Sequence, residues 1–411
     1  MNKPTLRNQM LWNAVGNVIY LGCQWLVVVL VTKMGGFSDA GLLSIAMSVS
    51  ATFQTIALFG IRNFQVSDLK GEFSDTHYVG FRTITCTLAL LICMGFSLIA
   101  RYRSWQLLAI LLFMLFRLAE SFSDVLHGIA QKNDRLDIAG KSFAIKGVGL
   151  LAVFYISYRF MGNLCFSLLL MAAFSLSSTF LFDLFIVRRF SRFALLANPA
   201  NCVPMAKKTI PLCLYMFLYS AISTVPKLFL ERQTDEAILG AYSSVFAPAL
   251  LITSAAGYLY QPFISTFTKY HQAKERKKFL ILLSKIGFGI LLVGVLALIL
   301  EYFLGEFALM LIFGEMIRDY VYLFQPIILA IFFVALMSFL SMLEIVLRDF
   351  LWLLIGCGIG FAIEIAVSYP MVRIYGANGA SFALLLAAGV AVVVLLFRII
   401  FHCGIHEEAV S

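Results

Sequence analysis

The sequence predicts an all-α polytopic membrane protein with about twelve transmembrane helices, divided six and six. Three observations predict it. Of the 411 residues, 61% are hydrophobic and 13% charged, and the mean hydropathy is +0.93, far too apolar for a soluble chain. Apolar runs of about 20 residues recur along the whole length, each able to cross a hydrocarbon core of about 30 Å. The connections are short and leave no room for a soluble domain.

The first run, 10–32, starts near Met10 and lacks a small-residue cleavage site, so it reads as a retained helix and not a signal peptide. Its Asn13, Asn17 and Gln24 share one face, expected to point inward. The second run, 40–61, closes on GIRNFQ with Arg62 near its inner end. After the third, 79–100, the fourth, 105–127, starts as a lipid helix and then carries Arg117, Glu120 and Asp124. Spacings of three and four put these charges on one face, where Arg117 can pair with Glu120. An ionised side chain at bilayer depth costs about 3 kcal/mol or more, so this face should look into protein or a wet cavity.

Runs five and six, 142–160 and 164–187, complete an N-terminal lobe, 1–190. A polar stretch with Asn198-Pro199 and Pro204 reads as a cytoplasmic linker, 191–208, and a C-terminal lobe, 209–411, comes after it. The seventh run, 209–230, carries Tyr215, Tyr219, Ser223 and Lys227, then Glu231, each four residues from the last, and Pro211 and Pro226 can kink it. The remaining spans are 239–262, 279–300, 320–344, 350–372 with Glu364, and 377–401. Six is even, so both lobes enter the membrane in the same direction and any repeat is parallel. SFSDVL at 121–126 and SFLSML at 338–343 fall at equivalent places, succeeded by His127 and Glu344.

The net charge of +9 comes from basic residues scattered over loops, with no aromatic-interleaved patch of the kind that reads nucleic acid. Placing both termini on one side collects 22 of the 31 lysines and arginines there, against 7 on the other side, with only Arg117 and Lys227 counted within spans and every other one counted with a loop or terminus. The positive-inside rule makes that side the cytoplasm. The basic clusters after the sixth and eighth spans read as topology determinants. Eight cysteines without CxxC spacing read as small core residues, and five dispersed histidines suggest no metal site. No phosphate-cradling glycine loop, HExxH or nucleophile elbow is present, so neither catalytic residues nor a cofactor are expected.

Arg62, Arg117 and Lys227 would offer cationic groups at inner, middle and outer depth if all three face one cavity, a ladder suited to an anion. Each also has a plainer reading: Arg62 as an inside anchor, Arg117 as the structural partner of Glu120, Lys227 snorkelling to the outer interface. Glu120, Asp124 and Glu364 are candidates for ion coupling or for fixed ion pairs. Asp183 and Glu344 read as interfacial residues at helix ends.

RNQMLWNAVGN, GIRNFQVSD, RLAESFSDVLHGIAQKNDRLDIAG and TIPLCLYMFLYSAISTVPKLFLERQTDEAILGAYSS together resemble the bacterial polysaccharide repeat-unit flippases of O-antigen and capsule type. These belong to the multidrug/oligosaccharidyl-lipid/polysaccharide exporter (MOP) superfamily. The resemblance covers the whole chain. It implies two six-helix lobes around a central cavity opening alternately to either face of the inner membrane. The implied cargo is an undecaprenyl-pyrophosphate-linked oligosaccharide, held by Arg62, Arg117 and Lys227 with Asn13, Asn17 and Tyr219 on the cavity wall. Membrane lipids, a polysaccharide polymerase and chain-length machinery are the implied partners. A coupling ion does not carry over. Two rivals stand beside it: a multidrug or organic-cation antiporter of the same fold, which would depend on Asp124 or Glu364, and a membrane polysaccharide polymerase or ligase, which would need a larger external loop than 301–319.

Overall fold

The computed structural model describes residues 5–68, 72–196 and 199–405, and among these it forms helices and short connections with no strand. Helix α1 (Leu6–Leu58) covers the first two expected spans in one run of 53 residues. Its break falls at Gly36, where φ 76° and ψ −172° leave the helix, so the expected loop is a kink open to a residue without Cβ. Then come α2 (Ile61–Ser67), α3 (Asp75–Ile99), α4 (Ser104–Lys132), α5 (Leu136–Met161) and α6 (Leu164–Val187), the last containing a π-helical turn over Thr179–Leu184. Local chemistry sets the ends. Ser74 and His77 form a reciprocal capping box at the start of α3, and Asn163 accepts the Phe166 N–H at 3.0 Å to start α6.

Helix α7 (Pro199–Gln233) runs unbroken through Pro211 and Pro226 and begins within the stretch read as the linker. Asn198 lies outside the described residues. Helix α8 (Glu236–Tyr260) passes through a tight turn at Gln261–Phe263 into α9 (Ile264–Gln272). The 301–319 loop is not a loop: α10 (Arg276–Phe313) continues through most of it and a 3-10 helix, Glu315–Leu323, takes the rest. With its apolar sequence, the stretch keeps its backbone bonded internally. Helices α11 (Phe324–Leu347), α12 (Phe350–Tyr375) and α13 (Ala377–Ile405) complete the chain.

Ten runs among the described residues are long and apolar enough to cross a membrane. Dividing the first at Gly36 and adding α4, whose 29 residues extend about 44 Å, brings the number to the expected twelve. The chain is an all-α, multi-pass membrane protein. Large apolar side chains such as Ile99, Phe160, Leu181 and Tyr302 stand on its outside, where lipid is their solvent.

Two compact units divide the chain, Met1–Ser220 and Ala221–Ser411, and the boundary falls inside α7. In the first, α1 and α5 cross where Gly16 meets Gly140. A Cβ on either would overlap the facing backbone, and without a hydrophobic drive between helices in lipid, such close approach is what holds them. A cluster including Ile61, Phe73, Tyr78, Val125, Ile129, Val187 and Met205 packs α2 to α7 together. In the second unit α11 forms the centre, burying Ile327, Ile331, Val334, Phe339 and Leu343.

Candidate functional site

The three charges of α4 sit on one face, as their spacing requires, and each is paired. Arg117 donates to Glu120 Oε2 at 2.7 Å, and the other Glu120 oxygen accepts from Gln24 of α1 at 2.8 Å. The guanidinium also lies 5.2 Å and 5.5 Å from the Phe113 and Phe116 rings, a desolvated cation–π setting. Those two rings and Gln24 line a mostly apolar cavity of ≈ 20 Å³, room for about one water. Gln54 donates to the Arg117 carbonyl at 3.4 Å. The wedge between α1 and α4 is thus a polar seam with an ion pair at its centre.

Two turns on, Asp124 is shared by two arginines. Arg62 of α2 reaches Oδ1 at 2.9 Å and Gln131 at 3.2 Å, while Arg82 of α3 reaches Oδ2 at 2.9 Å and the Ala57 carbonyl at 2.6 Å. The Arg82 side chain is 0% exposed, whereas Arg62 and Asp124 keep 26% and 23%. Two cations on one carboxylate leave this face with a net positive charge. Arg82 is therefore an internal partner, not a topology charge at a span end. The same correction applies to Lys146 of α5. It is buried, and it donates to Asp183 at 2.6 Å, to Thr179 at 3.0 Å and to Ser123.

Asp183 and Glu344 are corrected too. Both are 0% exposed, Asp183 inside the π-helical turn and Glu344 near the end of α11 with neither oxygen bonded. The helices around them close over positions that hydropathy alone puts at a span end.

The remaining candidates are spread over the two units. Asn17 donates to the Asn13 backbone carbonyl at 2.9 Å and to its side-chain Oδ1 at 3.4 Å, so these half-buried amides engage each other, while Gln24, on their face, meets Glu120. Tyr219, half-buried, lies 6.0 Å from the Tyr215 ring in the first unit. In the second unit Lys227 sits 3.9 Å over the Phe246 ring, with no acidic partner among the described residues, so its charge is held against an aromatic face in place of a carboxylate. Glu364 is fully buried; Ser368 donates to its Oε1 at 2.7 Å and its Oε2 has no partner. Among the described residues no group of three or more His, Cys, Asp or Glu could hold a metal ion, and the seven described cysteines are free. The side chains of His402 and Cys403, and all of His406, lie outside the described residues.

Sequence reasoning found the α4 face and missed its partners. Arg82 and Lys146, three and four residues inside their spans, counted as end charges. The four-residue spacing of Thr179 and Asp183 was the available signal for the second cluster, since it puts both on one face of α6.

Long apolar helices in two units, carrying paired charges in their interiors, define a multi-pass membrane fold, and solved structures carry it. The chain shares its fold with a lipid II flippase, MurJ, in an inward closed conformation, at a TM-score of 0.75 and 14% identity over 95% of this chain and 87% of that one. It shares it also with an inward-facing multidrug resistance MATE family transporter of the MOP superfamily, at 0.66 and 12% over 98% and 96%. In sequence, the capsular polysaccharide biosynthesis protein CapF of Staphylococcus aureus is 26% identical over 305 residues, 73% of this chain and 76% of that protein. No family model matches the chain. The relative and the structural neighbours together fit the polysaccharide flippase family that the sequence resembles.

Proposed function

We propose that the chain is a flippase that moves undecaprenyl-pyrophosphate-linked oligosaccharide repeat units from the cytoplasmic to the outer leaflet of the bacterial inner membrane, by alternating access, for surface polysaccharide biosynthesis. Both termini are cytoplasmic in this reading, and the protein performs no covalent chemistry. The observation that carries it is the sharing of Asp124 by Arg62 and Arg82, which leaves a cationic face reached by solvent only at Arg62 and Asp124, where an organic-cation exporter would need an open carboxylate. A pyrophosphate is the complementary ligand, because guanidinium groups bind its oxygens bidentately. Arg62, Arg117 and Lys227 take the pyrophosphate and acidic sugars; Asn13, Asn17 and Tyr219 hydrogen-bond neutral sugar hydroxyls. Glu120 and Asp124 then act by orienting arginines, and Glu364 remains the ion-coupling candidate.

The lipid II flippase neighbour and the capsule biosynthesis relative support a lipid-linked cargo. Moving negative charge outward is favoured by an inside-negative potential, by about 2.3 kcal/mol per charge per 100 mV, so the potential drives the step. Deleting the gene should leave lipid-linked oligosaccharide on the cytoplasmic leaflet; accumulation on the outer leaflet would point to a polymerase. Flipping in proteoliposomes that is unchanged when the potential is collapsed would remove the driving force argued here.

One observation favours the organic-cation antiporter: Glu364, buried with an unbonded oxygen. That reading requires export of organic cations to be lost in Glu364→Gln and retained in Lys227→Ala.

A further inference from the structure

Beside the arginine face, α4 turns a second set of buried groups toward α5 and α6. Lys146 is held by Ser123, Thr179 and Asp183 Oδ2, so one oxygen of that carboxylate is committed. The other, Oδ1, has no hydrogen-bond partner among the described residues and lies 3.4 Å from His127 Nε2, which has none among them either. Both side chains are sealed from solvent, at 0% and 1% exposure. Phe143 stands edge-on to the imidazole, with ring centroids 5.0 Å apart, and closes that side. Asp183 belongs to the π-helical turn, whose extra residue rotates the remainder of α6 by about 100° relative to a continuous α-helix. A carboxylate oxygen and an imidazole nitrogen face one another, unbonded and out of solvent.

We infer that His127 Nε2 and Asp183 Oδ1 form a buried binding site for one proton in the first unit, separate from the arginine face. With the neutral ring protonated at Nδ1, the Nε2 lone pair takes a proton from hydronium, which leaves as water, and the new N–H donates to Oδ1. The charged groups facing the ring are Asp183 from α6, Lys146 from α5 and, further off, Arg62 from α2; Arg82 from α3 is committed to Asp124. A proton here changes the cluster from neutral to +1 away from bulk solvent, so the site responds to geometry. Any conformation that shortens the 3.4 Å separation binds the proton more tightly than this one, and by linkage the proton favours that conformation. The second unit repeats the placement. SFSDVLH and SFLSMLE put His127 and Glu344 in the same register, and both are fully buried titratable groups without hydrogen-bond partners.

The site itself stands apart from the cargo; its coupling to transport rests on the flippase reading. Full-length protein carrying 15N-histidine in lipid nanodiscs is acidified from about pH 8 to about pH 5, the range in which imidazoles change charge. The His127 signal is assigned by its loss in His127→Gln. Protonation at Nε2 in the wild type is expected, together with loss of that protonation in Asp183→Asn. Since Asp183→Asn strands Lys146, the charge-balanced pair Lys146→Met with Asp183→Asn is measured beside it and should also abolish the titration. A ring that stays neutral throughout, or titrates alike without Asp183, overturns the site. In proteoliposomes a transmembrane pH gradient should change wild-type flipping severalfold and leave His127→Gln unaffected. An equal response in both overturns the coupling. No flipping at any gradient overturns the flippase reading, while the titration alone decides the proton site.

Discussion

Arg82 and Asp124 meet at 2.9 Å with the arginine fully out of solvent, and this contact sets the orientation in which the other oxygen of Asp124 receives Arg62. The two arginines therefore have different work. Arg82 is anchored by the carboxylate and the Ala57 carbonyl, whereas Arg62 is the member that reaches solvent. Asp124→Asn strands a buried cation and should cost about 3–5 kcal/mol, read as a lower Tm in detergent and less protein in the membrane. Arg62→Ala leaves Asp124 with Arg82 and should change stability by about 1 kcal/mol or less while flipping falls. Equal losses of Tm in the two variants would contradict this division.

Arg117 is the first residue to test for cargo binding. Arg117→Ala should abolish flipping at normal expression, and Arg117→Lys should restore it in part, since an ammonium lacks the planar fork. If Arg117 served Glu120 alone, removing both charges would recover what either single change destroys. The expected outcome is no recovery in Arg117→Ala with Glu120→Ala, measured by surface polysaccharide in a complemented deletion strain.

Lys227 lies against Phe246 at 3.9 Å with no carboxylate partner among the described residues, so its charge is available to an anion. Lys227→Ala should lower flipping at unchanged expression, and Lys227→Arg, which keeps charge and ring stacking, should retain most of it. Normal flipping in Lys227→Ala would remove the residue from the binding set.

Asp68, between α2 and α3, accepts the Glu72 N–H at 2.8 Å, the Phe73 N–H at 3.1 Å and the Tyr78 hydroxyl at 2.9 Å. Burial raises its pKa, but these three donors together with the Lys132 charge outweigh it and hold the carboxyl below its ordinary value. A depressed carboxylate stabilises the fold fully above the unfolded pKa and loses that contribution as pH falls through the folded one. Wild-type Tm should accordingly drop on acidification below about pH 4, and Asp68→Asn should start lower at neutral pH and show a shallower acid decline.

Gly140 abuts the Trp12 backbone and Gly16 abuts Gly140. Gly140→Ala should force α1 and α5 apart at a cost of about 1–3 kcal/mol, seen as a lower Tm, with Gly16→Ala similar and the pair less than additive. Additive losses would mean that the two positions do not share one crossing.

Hydropathy made the spans legible because lipid forces every backbone polar group into an internal bond over a fixed length, so the number of crossings comes from composition. The α4 face was legible for a related reason: Arg117, Glu120 and Asp124 recur at helical spacing, and lipid excludes all three. Their partners were hidden. Arg62, Arg82 and Gln24 stand 62, 42 and 96 residues away from the α4 groups they meet, and a single sequence carries no signal for contact over such separations.

The sequence by itself determined the number and length of the helices, the membrane setting, and which face of α4 had to turn away from lipid. The tertiary structure alone decided which carboxylate meets which cation. It turned Arg82 and Lys146 from end charges into buried partners and left Asp183 Oδ1 facing an unbonded His127. The physical reason is one of range. Transfer to lipid is decided residue by residue and turn by turn, whereas pairing a charge needs a specific atom within about 3 Å, and only packed helices bring distant segments that close.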